Sequence, residues 1–352
     1  MSEQASSEAT PKRRLVVRAV LRTDVGLVRS ENQDFGTYTT PQEEKSSHPG
    51  GRLLIVADGM GGHRGGATAS RLAGEVVKAQ YLDSETADIA SALRDSLSRA
   101  NARMFAEAQA NPDLRGMGTT TSVLALRGDR GWLAHVGDSR IYLIRDGAIE
   151  QLTDDHSLVA TMMREGLLTP QEAEVHPRRN VLQRSMGVAE DVEIDVRGPI
   201  DLREGDTFIL CSDGLHGVVR EHEILDIAGR SIDAAADEYL RRALERGAPD
   251  NVTVIVARVE ASEDDADPYD ETQKDTQKIA AVMDETLRDT DELPVAGEPA
   301  PVAALVAPPV AATPKKNPAL LWALVVVLAL GAAGAWFYWN HQQAIASSTT
   351  TR

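Results

Sequence analysis

The chain has 352 residues, and the usual allowance of about 150 residues per domain leaves room for one large domain with appendages, or for two. Its 54 acidic residues outnumber 37 basic ones, a formal net charge of −17. That balance excludes a nonspecific nucleic-acid binder, which needs a basic surface to displace counterions. A single cysteine excludes an intramolecular disulfide framework and any multi-thiolate zinc site, and fits a reducing compartment.

Residues 1–14 (MSEQASSEATPKRR) are polar, lack the apolar core of a signal peptide and read as a disordered N-terminus. From Leu15 to Glu260, apolar runs alternate with turn signals, as in a folded domain. Runs rich in Val, Ile, Leu and Thr predict strands at Leu15–Thr23, Arg52–Ala57, Thr119–Leu126, Gly131–His135, Ile141–Arg145, Thr207–Cys211 and Val252–Val259. Helices are predicted at Ala67–Leu82 and Ala87–Ala110, the second with Ile89, Leu93, Leu97, Ala100, Met104 and Ala108 on one face. Arg127-Gly128-Asp129-Arg130 and Asp146-Gly147 read as hairpin turns, which predicts an antiparallel meander over 119–150. Hairpins flanked by helix pairs point to an α+β fold with sheets and helices in layers. Residues 156–190 fit neither period and read as an inserted flap.

Beyond Glu260 the composition changes. Residues 261–318 hold 13 acidic and 5 basic residues and end in Pro/Ala-rich text, the signature of an extended, disordered linker. Thr272, Thr276, Thr286 and Thr290 lie among its acids, either as plain spacer or as sites a kinase could charge further. Ala319–Trp339 is uncharged, and its 21 residues span roughly 30 Å as a helix, the hydrocarbon thickness of a bilayer. Trp322 near one end and Trp336, Tyr338 and Trp339 at the other match an interfacial aromatic belt, so the segment is expected to be a membrane anchor. Lys315 and Lys316 before it predict a cytoplasmic N-terminal domain and a short extracytoplasmic tail at 340–352.

Four aspartates follow apolar strand runs, each beside a glycine, serine or asparagine: Asp58, Asp138, Asp213 and Asp250. One Asp-Gly pair is an ordinary turn. Four carboxylates at strand ends can instead converge on a hard cation, with the neighbouring glycine letting a backbone carbonyl approach, and oxygen-only donors suit Mg²⁺ or Mn²⁺. Other chemistries fail on spacing. A Cys-x₅-Arg phosphatase loop would need arginine where Gly217 follows Cys211, so Cys211 reads as a buried strand residue. A Gly-x-Gly-x-x-Gly from Gly59 meets Arg64, and a P-loop from Gly61 meets Ala67 in place of lysine.

Six motifs in order, Arg29-Ser30-Glu31-Asn32-Gln33-Asp34, Asp58-Gly59-Met60-Gly61-Gly62, Gly116-Met117-Gly118-Thr119-Thr120, Gly137-Asp138-Ser139-Arg140, Ser212-Asp213-Gly214 and Asp250-Asn251, resemble those of the metal-dependent serine/threonine protein phosphatases (PPM, type 2C). The linker and apolar C-terminal segment add a likeness to bacterial membrane-anchored members that oppose membrane serine/threonine kinases. The resemblance covers about residues 15–260 and implies a layered α-β-β-α sandwich of two mainly antiparallel sheets flanked by helices. It implies hydrolysis of phosphoserine and phosphothreonine by direct attack of a metal-bridging water, with two and up to three Mn²⁺ or Mg²⁺ ions. Asp58, the Gly59 carbonyl, Asp213 and Asp250 would hold two ions, and Asp138 with Asp213 the third. Arg29 would hold phosphate and Asp34 would orient water. Implied partners are phosphoprotein substrates, among them a membrane kinase and its targets. Two departures stand out. Met60 occupies the place of a histidine that some members use as general acid, with His63 and His156 nearby only in sequence, and Gln33 stands where some carry a metal-binding glutamate. The alternative is an inactive phosphatase fold serving as a binding module at the membrane.

Overall fold

The structure, a computed structural model, describes residues 14–46, 51–61 and 65–262. The first thirteen residues, His63, the linker from 263, the apolar segment 319–339 and the tail 340–352 lie outside the described residues, as do the linker threonines. Among the described residues no helix is long and apolar enough to cross a membrane.

Two antiparallel sheets form the centre. Numbered in chain order, one runs β1 (Leu15–Asp24), β11 (Val252–Ala261), β10 (Thr207–Cys211), β7 (Arg140–Arg145), β8 (Ala148–Gln151). The other runs β2 (Asp34–Tyr38), β3 (Arg52–Met60), β5 (Thr121–Arg127), β6 (Arg130–Val136), β9 (Asp195–Asp201), with the short β4 (Gly118–Thr119) pairing the end of β3. Because strand side chains alternate faces, each central strand feeds two cores. Leu54 and Val56 face the other sheet with Phe208, Leu210, Ile255 and Ala257. After the short α1 (Pro41–Ser46) between β2 and β3, Leu53 and Ile55 face α2 (Gly65–Leu82) and α3 (Ile89–Ala110). Ile209, Cys211, Val254 and Val256 face α6 (Asp213–His216), α7 (Glu221–Ala228) and α8 (Ile232–Glu245). Burial on both faces is why β3, β10 and β11 read as unbroken apolar runs rather than alternating ones. The layers are thus helix, sheet, sheet, helix.

The second long helix forms as its spacing predicts. Asp88 caps it by accepting from the Ala90 N–H, and Ile89, Leu93, Leu97, Ala100, Met104 and Ala108 are all buried.

One expectation is corrected. Residues 119–150 are not a meander: β5–β6 and β7–β8 are hairpins on different sheets, and Gly137-Asp138-Ser139 carries the chain from one sheet to the other. Gly137 adopts φ +113°, a conformation that favours glycine, and a Cβ there would meet Thr120 at 2.5 Å. The flap leaves between β8 and β9 and carries α4 (Leu158–Arg164) and α5 (Pro170–Glu174), capped by Ser157 and Thr169. It returns through single bridges at Ser157–Leu182 and Thr119–Met186. The strand β11 runs to Ala261, two residues past its predicted end at Val259, and the Ser262 N–H donates to the Arg14 carbonyl.

Candidate active site

The two sheets bring their aspartates to one end. Asp34 opens β2 directly opposite Asp58 on β3. Asp58 is fixed through its main chain: its N–H donates to Thr120 Oγ1 at 2.9 Å, and its carbonyl accepts from the Thr120 N–H at 2.9 Å and Thr119 Oγ1 at 2.8 Å. Its carboxylate is left to face the cluster. From the other sheet, Asp213 follows β10 as the first residue of α6, and Asp250 precedes β11. Ser212 crosses between the sheets, donating its Oγ–H to Asp34 Oδ2 at 2.7 Å while the Thr253 N–H donates to that Oγ at 3.0 Å.

Asn251 ties the loop before β2 to this end. Its Oδ1 accepts from the Gln33 N–H, and its Nδ2 donates to the carbonyls of Val25 and Glu31. Arg29, on that loop, donates to Asp250 Oδ2 at 2.7 Å and stays half exposed. Gln33 works through its main chain, its carbonyl accepting from the Gly59 N–H and Ser70 Oγ and its N–H donating to Asn251, so it joins β3, α2 and the residue before β11.

Electrostatics mark the cluster. Burial, then the charges of Asp34, Asp213, Asp138 and Asp250, hold the Asp58 carboxyl well above the usual carboxylate range. Burial pushes Asp34 up to about 7 against the Ser212 and Thr253 hydrogen bonds, and pushes Asp138 to about 7 with help from the charges of Asp213 and Asp155. Asp213 rises to about 6, by burial first and the Asp250 charge second. Among the described residues only three buried side-chain polar atoms lack a hydrogen-bond partner, and two of them are here, Asp34 Oδ1 and Asp213 Oδ1. Buried carboxylate oxygens without donors are costly unless positive charge meets them. No three Asp, Glu, His or Cys side chains among the described residues form a closed ligand group. Carboxylates held close together repel, and a divalent cation offsets that repulsion. The donor set fits a hard divalent ion.

The approach of α2 to β3 depends on glycine. A Cβ on Gly59 would lie 2.1 Å from the Gly66 carbonyl oxygen and 2.6 Å from that of Gln33, both backbone atoms that cannot swing aside. Gly59→Ala is therefore expected to destabilise the protein by about 3 kcal/mol and to lower activity by displacing Asp58. Gly229→Ala, with nothing nearer than 3.9 Å, should leave both unchanged, and thermal melts of the two variants decide it.

His156 faces inward. Its Nδ1 accepts from the Gly137 N–H, its Nε2–H donates to Asp195 Oδ2, and it stacks on His135 with centroids 4.8 Å apart. Met60 ends β3 opposite Gly118, so no acid stands at that position. The residues that orient the aspartates, Ser212, Thr120, Thr253 and Asn251, had no role from sequence. Their signal was a polar residue inside an otherwise apolar strand or directly beside a site aspartate.

The protein phosphatase 2C family profile matches residues 30–248. The serine/threonine protein phosphatase PstP of Mycobacterium tuberculosis is 39% identical over 249 residues, 70% of this chain and 45% of PstP, so the chain spans about half the length of that relative. The protein phosphatase PhpP of Streptococcus pneumoniae is 38% identical over 253 residues, 70% of this chain and 98% of PhpP. The solved catalytic domain of PstP in complex with two manganese ions is 36% identical with a TM-score of 0.61, over 70% of this chain and 99% of that one.

Proposed function

The chain belongs to the protein phosphatase 2C family, and from that premise we propose that its folded region removes phosphate from phosphoserine and phosphothreonine in proteins. The observation that carries this reading is the cluster of five aspartates, Asp34, Asp58, Asp138, Asp213 and Asp250, at one end of both sheets, with two buried oxygens left without donors. Asp58, the Gly59 carbonyl, Asp213 and Asp250 would hold two Mn²⁺ or Mg²⁺ ions, and Asp138 with Asp213 a third. Bound there, such ions neutralise charge building on the phosphoryl group and make water nucleophilic at neutral pH.

The chain's own residues supply the positioning. Arg29 uses one N–H on Asp250 and has the rest of its guanidinium fork free to face a phosphate. Asp34, held through one oxygen by Ser212, offers the other to orient the attacking water. With Asp58, Asp213 and Asp250 all in place, nothing favours an inactive binding module. Phosphate release from a phosphothreonine peptide by the purified protein, present with Mn²⁺ and absent with EDTA, is the expected result. No release under either condition would overturn the reading.

Leu27 and Val28, beside Arg29, are 66% and 70% exposed. They form an apolar ledge against which a peptide next to the phosphorylated residue can lie. Replacing both with serine should raise KM for a phosphopeptide about 10-fold while leaving KM for p-nitrophenyl phosphate unchanged, since burying one such side chain contributes about 1.5–3 kcal/mol. Equal effects on both substrates would remove the ledge from the argument.

The reading extends beyond the described residues. The uncharged segment 319–339, preceded by Lys315 and Lys316, anchors the chain with its catalytic region on the cytoplasmic side, and the extended linker lets it reach phosphoproteins at that surface, a serine/threonine kinase among them. Recovery in the carbonate-washed membrane fraction, lost on deletion of 319–352, is expected. Unchanged soluble behaviour of both forms would end this extension.

A further inference from the structure

The segment 137–139 carries Asp138 across the gap between the sheets, and its main chain is tied almost wholly from one side. Gly137 exchanges two bonds with His156: its N–H donates to His156 Nδ1 at 3.1 Å, and its carbonyl accepts from the His156 N–H at 2.8 Å. The Ser139 carbonyl accepts from Ser122 Oγ at 2.8 Å, and Ser139 Oγ meets Thr120 Oγ1 at 2.6 Å. These ties come from β5, its N-terminal neighbour Thr120, and the start of the flap. The carbonyl of Asp138 itself is held from the other side, by His216 Nε2 at 3.0 Å. A carbonyl only accepts, so the Nε2 of His216 carries the proton in this bond.

His216 ends the single turn of helix that Asp213 begins. One turn of α6 therefore carries a site carboxylate at its first position and, three residues on, the donor that grips the main chain of a second site carboxylate. Behind this contact, Arg140 is clamped by Asp155 through three bonds, Nε to Oδ1 at 3.0 Å and to Oδ2 at 3.2 Å and Nη2 to Oδ2 at 2.7 Å, and donates to the Tyr142 hydroxyl at 2.9 Å. Gln151 Nε2 donates to the same Asp155 Oδ1 at 3.0 Å.

We propose that His216 is a positioning residue that fixes the distance between Asp138 and Asp213, and thereby sets the affinity for the divalent ion those two aspartates would share. It would act through the Asp138 main chain, whose carbonyl it grips. This rests on the metal-dependent phosphatase reading above. Donors that orient a metal-ligating group typically alter metal affinity by about 10- to 100-fold when lost, without a change in the ligands themselves.

The test is Mn²⁺ binding by calorimetry to the full chain in detergent, for the wild type, His216→Phe and His216→Gln, with near-ultraviolet circular dichroism as the folding check. Phenylalanine fills the ring's volume without the donor, and glutamine restores an N–H near the Nε2 position. Expected is a weak class of Mn²⁺ sites at least about 10-fold weaker in His216→Phe, largely recovered in His216→Gln, with the tight class unchanged. A weak class unaltered in His216→Phe, or equally damaged in both variants, overturns the proposal. Loss of both classes together also overturns it, in favour of a general structural role. Absence of any Mn²⁺ binding by the wild type overturns the phosphatase reading and this proposal with it, so the two failures are told apart by the wild-type titration.

Discussion

Asp58→Asn is expected to lower phosphate release from a phosphothreonine peptide by at least about 10³-fold, and at the same time to raise the melting temperature of the metal-free protein. The two effects share one cause. Asp58 is the carboxylate on which the charges of Asp34, Asp213, Asp138 and Asp250 all act, and its main-chain bonds to Thr119 and Thr120 do not involve the carboxylate. An amide keeps that backbone geometry and removes the charge. Catalysis would lose one of the carboxylates proposed to hold the ions, and a loss of about 4 kcal/mol of transition-state stabilisation corresponds to about 10³ in rate. The metal-free fold loses a repulsion, and at about 2–4 °C per kcal/mol for a domain of this size the melt should rise by several degrees. Asp250→Asn makes the contrast: Asp250 has Arg29 at 2.7 Å, so its neutralisation abolishes activity without a gain in stability. Normal turnover in Asp58→Asn would remove the active-site assignment, and a lower melting temperature would remove the account of the cluster as strained.

Much of the central fold was legible because burial on both faces leaves a strong trace. In β3, β10 and β11 nearly every position is apolar, and that can be read without knowing which strand lies alongside. The strands that escaped notice lack this trace. Asp34–Tyr38 is short and half-buried throughout, and becomes a strand because β3 offers it an edge. Asp195–Asp201 contains Gly198-Pro199, which reads as a turn, and it sits at a sheet edge where a missing N–H is tolerated. The two helices α7 and α8 were legible and missed: Ser231 caps the second, and Ile232, Ala235, Ala236, Tyr239 and Ala243 lie on its buried face. Alanine carries too little hydrophobic contrast to stand out.

The mistaken meander has a different origin. Hairpins are local and Arg127–Arg130 and Asp146–Gly147 are correctly placed, but which sheet a hairpin joins is decided by distant partners such as β10 against β7. The local sign of the crossing is Gly137-Asp138-Ser139, where Gly137 takes a φ of +113° between strands of different sheets. The site divides in the same way. Its aspartates show themselves one by one at strand ends, whereas the groups that orient them, such as Ser212 on Asp34 across 178 positions, are contacts of the folded chain.

The same cluster sets how stability depends on pH, and the sign differs from that of ordinary ion pairs. Asp34 and Asp138 are raised to about 7 and Asp213 to about 6, against an ordinary value of 3.8. Between those limits the folded state holds protons that the unfolded chain has released, so stability falls as pH rises. Buried histidines act in opposition. His135, lowered to about 4, and His216, lowered to about 3, are neutral when folded while the unfolded chain protonates them below about 6.5, so they make stability rise with pH up to that point. Above about 6.5 their contribution is complete and the aspartates alone continue to titrate. The metal-free protein should therefore lose melting temperature throughout pH 5 to 8, several degrees of it between pH 6.5 and 8, with the histidines offsetting only part of the fall below 6.5. The shift produced by Mn²⁺ is the sharper measure, because the histidines titrate alike with and without the ion and cancel in the difference. Protons and cations compete for the same oxygens, so the Mn²⁺ shift should grow steadily from pH 5 to 8, and grow less in Asp58→Asn. Differential scanning fluorimetry in EDTA and in Mn²⁺ across that range reads both curves. A Mn²⁺ shift independent of pH would mean that the aspartates are already ionised in the folded chain, and that their burial at the junction of the two sheets costs far less than the two donorless oxygens imply.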